Sequence, residues 1–535
     1  MVEVRADGLG GSEDDDFRCF IVLGLSWASY GPRADRIFFS VESLPMLTRL
    51  KVEGFKNLID TELCFGPLTC LAGPNGVGKS NVFDAIRFLS LLADRPFVEA
   101  AAGTRGGEDM SALFSASGDG KMVLECDMLI SRYGQDDFNQ PAEASHTFLT
   151  YLLELHLVKD ESGLPKVRLE RESLAYIPKS QARKRLGFKS SSDWIDSVMP
   201  TSFRRVSFIE TVSESNGAVI RLRSDKMRSE EKSNRGGGRS ADFLARNLPR
   251  TVLSSAQNAD ETRTAVLVRQ EMRSWRILQL EPSALRRPDD FQSPTQLAAD
   301  GSHLPATLYR LARNGDSGIV LEEVANRLAS LVTEVHSVRV DRDEARRVLS
   351  FVMMDRGGIE LPASSLSDGT LRFVALTVLE QDASATGVLC LEEPENGIHP
   401  GRIDAMMQLL EDMAVDVNEA VGQENPLRQV VLSTHSPVVA ARVRDQDLVF
   451  ADRQDIGLRE DSRPIRSLVL RPIAGTWRCQ EDVAPIAWGE IAGYLDSVRT
   501  ESSSATDSPS AAAEKTVFEQ VAGQMLLPFM LSDDR

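Results

Sequence analysis

A chain of 535 residues with 42% hydrophobic content is too long for one ordinary core and normal in composition for a globular protein, so two or three domains are expected. A net charge of −18 excludes a uniformly basic nucleic-acid binder. Six cysteines, at 19, 64, 70, 126, 390 and 479, include no C-x-x-C pair and no zinc spacing, which fits a reducing, cytoplasmic setting. Residues 1–45 lack a steady period and read as an N-terminal extension, either dispensable or ahead of a true start at Met46. Their apolar run 19–30 is too short to span a bilayer and follows acidic residues 13–16, so neither a membrane segment nor a signal peptide is expected.

From Met46 the pattern becomes regular. Leu47, Leu50 and Val52 alternate along an opening strand, 68–72 is a short buried strand, 81–92 an amphipathic helix and 122–130 another strand. These make up a first lobe, 46–130. Residues 131–285 read as a large α+β insert with strands at 150–158 and 167–174. Its polar stretch 224–240 holds three consecutive glycines, Gly236–238, and is expected to be a loop. The insert breaks the acidic average: 164–287 carry 25 Lys and Arg against 14 Asp and Glu. That excess is either a solvated Arg-rich surface or a footprint for a phosphate backbone. A helical segment, 286–345, has helices predicted at 296–312 and 320–332. Strand–helix alternation returns over 346–475. The remainder, 476–535, is a Ser/Ala-rich linker at 501–515 and a tail helix, 517–531, apolar at Phe518, Val521, Met525, Leu526 and Phe529. No heptad run is long enough for a coiled coil.

Between the strand 68–72 and the helix 81–92 stand Gly73, Pro74, Asn75, Gly76, Val77, Gly78, Lys79, Ser80 and Asn81. Glycines let backbone N–H groups turn toward a polyphosphate, and a helix N-terminus adds positive potential. Lys79 is placed to reach β- and γ-phosphates and the Ser80 hydroxyl to ligand Mg²⁺. A nucleotide, ATP or GTP, is therefore expected.

The C-terminal half holds the complement. The strand 387–391 runs into Glu392-Glu393-Pro394, and two carboxylates at a strand end are costly unless they meet cations. Glu392 is expected to hold Mg²⁺ and Glu393 to polarise the attacking water. Twenty-five residues before Glu392, Leu366-Ser367-Asp368-Gly369-Thr370 opens a helix, 371–379. The strand 429–433 ends at Thr434-His435-Ser436-Pro437, placing His435 where it could contact a γ-phosphate.

Together these elements resemble the ABC-type ATPase domains of the RecF, SMC and OLD-like group. In detail the chain looks like the bacterial AAA domain-containing ATPases of that group. The resemblance rests on Leu50 to Leu58, Gly73 to Ser80, Ser283 to Pro288, Leu297 to Leu304, Leu366 to Thr370, Leu391 to Pro400 and Ser433 to Pro437. It spans about 46–450 and covers the insert poorly. It implies an α/β P-loop head of ABC type, a mixed sheet flanked by helices, using ATP and Mg²⁺. It also implies a homodimer through an ATP sandwich, in which Ser367 and Gly369 of one copy touch the γ-phosphate held by Lys79 and Ser80 of the other.

Departures from the family pattern are visible. The signature reads Ser-Asp-Gly-Thr, and Asp368 would bring a carboxylate near triphosphate. His399 stands where an Asp is usual, and the family's Q-loop glutamine has no evident counterpart. Ser367 lies 287 residues after Ser80, a gap that argues against a transporter subunit. Asp445-Gln446-Asp447 has the bare spacing of a Toprim nuclease metal site, but no apolar strand ending in Glu-Gly precedes it. Any DNA cleavage would then fall to a separate nuclease or effector protein. Two functions stay open at this stage: an ATP-driven switch acting on DNA, through 164–287, in repair or anti-phage defence, and a regulatory switch binding protein partners.

Overall fold

The computed structural model describes residues 46–494 except 117–119, 200–205, 216, 226–239, 315–316, 333, 383, 386, 423–424, 459–463, 480–482, 487–488 and 492. The expected extension 1–45, most of the loop 224–240, the linker 501–515 and the tail helix 517–531 lie outside the described residues.

Two large sheets organise the rest. The first contains β1 (Met46–Phe55), β2 (Leu58–Cys64), β4 (Lys121–Leu129), β7 (Phe148–Lys159), β8 (Pro165–Tyr176), β9 (Ile209–Glu214), β10 (Gly217–Arg223) and β11 (Ser240–Leu244). Its order is β11-β10-β9-β8-β7-β4-β1-β2, and its pairings are antiparallel. A small hairpin pairs β5 (Tyr133–Gln135) with β6 (Pro141–Glu143). The second sheet contains β3 (Leu68–Ala72), β12 (Arg276–Leu278), β17 (Gly387–Glu392), β18 (Arg428–Thr434), β19 (Leu448–Leu458) and β20 (Pro464–Pro472). Its order is β12-β17-β18-β3-β19-β20, parallel except where β20 returns antiparallel to β19. A lesser sheet joins β13 (Asp289–Asp290), β14 (Val335–Asp343), β15 (Val348–Asp355) and β16 (Glu360–Pro362).

The second sheet is covered on both faces, as parallel sheets usually are. Along β17, Val388 and Cys390 enter one core, while Leu389 and Leu391 enter another. The first core is shared with helix α1 (Lys79–Leu92), the helix Ala259–Ser274 and the first sheet. The second is closed by the helices Leu304–Asn314, Asp368–Gln381 and Ile403–Met413. This double burial is why 68–72 and 387–391 read as unbroken apolar runs.

The described part of 131–285, expected as a separate insert, shares its cores with the rest: Trp194, Ile195 and Val198 cluster with Met46, Val415 and Leu427. Tyr151, Leu153, Leu169, Leu174 and Ile220 pack into the same core as α1, and β7 to β11 continue the sheet that β1 begins. The segment then ends in β12, which pairs with β17. Two boundaries also shift. The helix expected at 296–312 runs Leu304–Asn314, because an Asp300–Gly301 turn intervenes, with Gly301 at φ 89° and Ser302 N donating to Asp300 Oδ1 at 2.9 Å. The segment 286–345 also contributes β13 and β14 to a sheet.

Polar side chains join the two large sheets. Gln429, fully buried on β18, accepts from Leu47 N at 3.0 Å and donates to Leu47 O at 2.7 Å and Gly66 O at 2.9 Å. The buried Arg478 donates to Cys64 O, Leu68 O, Thr69 Oγ1 and Gln446 O, and stacks on Trp477. Burial pulls its guanidinium pKa down to about 10. Among the described residues no helix is long and apolar enough to cross a membrane.

Gln429→Leu should leave backbone groups of Leu47 and Gly66 buried and unpaired, lowering the unfolding free energy by about 2–4 kcal/mol in a urea titration. A loss under about 1 kcal/mol would show that this amide does not hold the seam.

Candidate functional site

The turn from β3 into α1 is wound tightly. Gly73 has φ 157°, and a Cβ there would lie 2.2 Å from Ala451 O. At Gly78, φ is 114° and a Cβ would meet the Asn57 amide at 2.3 Å. Asn57 occupies that space usefully: its Nδ2 donates to Val77 O at 2.8 Å, and its Oδ1 accepts from Asn81 Nδ2 at 2.7 Å. Gly73 N is tied to Thr434 O on the neighbouring strand at 3.3 Å. Pro74, Asn75 and Gly76 form the outer part of the loop, where a Cβ at Gly76 would meet nothing within 4 Å. Lys79 folds back and caps the loop, donating from Nζ to Gly73 O at 2.6 Å and Pro74 O at 2.8 Å. Burial depresses its ammonium pKa, opposed by the charges of Glu393 and Glu395.

The registers place this loop against the carboxylates. Ala72 on β3 pairs with Thr434 on β18, and Ser433 on β18 pairs with Glu392 on β17, so three parallel strands end level. Ser80, Gln279, Arg372, Glu392, Glu393 and Asn396 line one narrow cleft at those ends. Glu393 sits at φ 47°, a left-handed conformation that costs a non-glycine residue about 1–3 kcal/mol. That turn aims its carboxylate at two donors: Asn396 Nδ2 and His435 Nδ1, each at 2.8 Å. Partial burial opposes ionisation of Glu393, but these bonds prevail and hold its pKa below the ordinary carboxyl range.

Glu392 faces a different environment. Burial pushes its pKa up, and Arg105 works against that. Arg105 Nη2 stands 3.3 Å from Glu392 Oε1, 3.1 Å from Asp84 Oδ1 and 3.1 Å from Ser80 O. Lys56 adds a second cation, 2.6 Å from Asp84 Oδ2. The Ser80 hydroxyl and Glu392 carboxylate are hard oxygen donors of the kind Mg²⁺ takes. Among the described residues no group of three or more His, Cys, Asp or Glu could hold a metal, so an ion here would draw its other ligands from water and phosphate. Asp445 and Asp447 fall in a short 3-10 turn, with Asp447 paired to Arg444 at 2.8 Å.

The signature segment lies elsewhere on the same framework. Ser367 is exposed and caps the helix Asp368–Gln381, accepting from Thr370 N at 3.2 Å. Gly369 is buried: a Cβ there would lie 2.1 Å from Gly397 O, so the signature turn packs directly on the loop that follows Glu393. Arg372, one turn on, donates to Leu280 O at 3.0 Å and to Asn396 O. Asp368, expected to bring a carboxylate near triphosphate, is paired with Arg286 at 2.6 Å. His399, at the position of a usual Asp, accepts from Gly401 N at 3.1 Å and starts a 3-10 turn.

Several groups at the site went unnoticed in the sequence. Gln279 follows β12 and shares the cleft with Ser80 and Glu392. Its strand is three residues long, too short to show a period. Arg105 sits in a Thr-Arg-Gly-Gly turn, and only the fold brings it to Glu392, 287 residues away.

A family model described as "AAA domain, putative AbiEii toxin, Type IV TA system" matches residues 68–126 and 223–441, more than half of the chain. The chain belongs to that AAA family. Its fold has the mixed sheet flanked by helices that the resemblance implied, and its relatives bear out the RecF, SMC and OLD-like resemblance. A chromosome partition protein Smc of Bordetella petrii is 40% identical over 78 residues, 14% of this chain and 6% of that protein. A DNA replication and repair protein RecF of Porphyromonas gingivalis is 35% identical over 84 residues, 15% of this chain and 23% of that protein. An OLD nuclease of Thermus scotoductus is 51% identical over 41 residues, 8% of each. The AAA-family chain thus spans less than a quarter of each of these relatives. Among solved structures, an Smc head bound to the C-winged helix domain of ScpA aligns over 80% of this chain and 98% of its own, at 14% identity and TM-score 0.39.

Gly369→Ala should separate the signature turn from Gly397 and cost about 1–3 kcal/mol. Asp368→Ala, which removes only a surface ion pair, should cost under about 1 kcal/mol. Thermal melting of the two variants checks the ranking; equal losses would contradict the packing at Gly397.

Proposed function

We propose that this protein binds and hydrolyses ATP with Mg²⁺, closes as a homodimer around the nucleotide, and uses the change in dimer geometry to act on DNA. The observation that carries the reading is the convergence of Lys79, Ser80, Glu392, Glu393 and His435 at the level ends of β3, β17 and β18, where open α/β sheets bind their ligands.

Each residue has a distinct role. Gly73 to Gly78 and Asn81 shape the turn that offers backbone N–H groups to the phosphates. Lys79 exchanges the carbonyls of Gly73 and Pro74 for phosphate oxygens. Ser80 and Glu392 would hold Mg²⁺ once Arg105 gave up its place beside them, and the ion would supply positive charge opposite the transferring phosphoryl group. Glu393, kept ionised by Asn396 and His435, takes the proton of the attacking water. Ser367 and Gly369 come from the second copy, with Arg286 cancelling the charge of Asp368 that would otherwise repel triphosphate. A cavity of about 950 Å³ beside Asn57, lined by Ile59, Phe114 and Leu157, has room for a nucleoside.

The DNA part rests on Lys166, Arg171, Arg183, Lys184 and Lys189, all exposed within the basic segment 164–287, and on relatives named for DNA repair and chromosome partition. Cleavage, where a pathway such as anti-phage defence requires it, belongs to a separate nuclease or effector. The scattered cysteines support a cytoplasmic setting.

Lys79→Ala should abolish ATP binding in a fluorescence titration; retained tight binding would refute the loop assignment. Glu393→Gln should bind ATP, lose at least about 100-fold in turnover and accumulate as a dimer by light scattering. A monomer under those conditions would refute the two-copy site. Filter binding to duplex DNA should weaken steeply with salt and depend on ATP. A flat salt response would remove DNA and favour a protein-binding switch.

A further inference from the structure

Behind His435 lies a carboxylate with no part in the reaction described above. Glu395, in the turn after β17, is only 7% exposed. Its Oε1 accepts a hydrogen bond from Thr434 Oγ1, and that hydroxyl accepts from Ser436 N at 2.9 Å. The fully buried Thr434 side chain therefore links Glu395 to the peptide that follows His435. Tyr494 grips the same loop by a second contact, donating from its hydroxyl to His435 O at 2.8 Å. The other oxygen of Glu395, Oε2, is buried with no hydrogen-bond partner among the described residues. A purely structural turn would be better served by glutamine or an apolar residue, because a buried carboxylate oxygen left unpaired is expensive. Burial pushes the Glu395 carboxyl pKa up, opposed by the Thr434 hydroxyl.

We propose that Glu395 is a positioning residue: through the Thr434 hydroxyl it sets the loop that carries His435 against Glu393. The inference rests on the ATPase reading and deepens it. Glutamine at 395 keeps an acceptor for Thr434, whereas alanine removes it. Valine at 434 keeps the shape but cuts the same link from its other end.

The experiment measures affinity for a fluorescent ATP analogue, kcat, KM and thermal melting for the full chain and for E395A, E395Q, T434V and T434S. E395A and T434V should each lose about tenfold or more in kcat with KM nearly unchanged, the pattern of an interaction made in the transition state. E395Q and T434S, which keep the hydrogen bond, should behave as the unmodified chain. Full turnover in E395A or in T434V overturns the inference while leaving the ATPase reading intact. An unmodified chain that neither binds nor hydrolyses ATP overturns both. If one of the two does not fold, the other decides alone.

Discussion

The structure depends on satisfying backbone hydrogen bonds where two large sheets meet. Among the described residues the two sheets share no ladder, and side chains reach peptides at their seam. Gln429 does so from the middle of β18 by reading both groups of Leu47 and the carbonyl of Gly66. Arg478 does the same for Cys64 and Leu68. An unpaired buried peptide group costs about 1–3 kcal/mol. Several at one seam would rival the whole stability of a domain, which is about 5–15 kcal/mol.

With the sheets locked together, the site follows from register. β3, β18 and β17 are parallel neighbours, and their ends deliver the phosphate loop, the His435 loop and the paired carboxylates to one level. The chain then turns sharply at Glu393, and the left-handed backbone there is tolerated because Ser433, Asn396 and His435 all hold the residue. Close packing carries this geometry outward: Gly369 lies on Gly397, and Arg372 spans Leu280 and Asn396. The signature turn is thus mechanically continuous with the carboxylate loop of its own chain.

Charges at the site are paired. Arg105 stands against Glu392 and Asp84, Lys79 against peptide carbonyls, and Arg286 against Asp368. These contacts keep like charges apart in a partly buried cleft, where each unpaired ion would be costly. They also define what a bound ligand must displace. The pairing of Asp368 changes the meaning of the unusual signature: its extra carboxylate is neutralised locally by an arginine more than eighty residues earlier in the chain.

The phosphate loop, the strand 68–72, the paired glutamates and the helix cap at Ser367 were legible in the amino-acid sequence, because each depends on neighbours within a few residues. Glycine at positive φ, a run buried on both faces and a serine cap all leave local traces. Gln279, Arg105, Glu395 and the true partners of 131–285 were not legible. β12 is too short for a period, and Arg105 reaches Glu392 only across the fold. The buried role of Glu395 depends on Thr434, and β7 to β11 declare their sheet only by packing on α1. The sequence by itself therefore determined which residue types are on hand for chemistry and which family the chain joins. Only the tertiary structure decided which charges face one another, because that depends on strand register and burial, which no local pattern records.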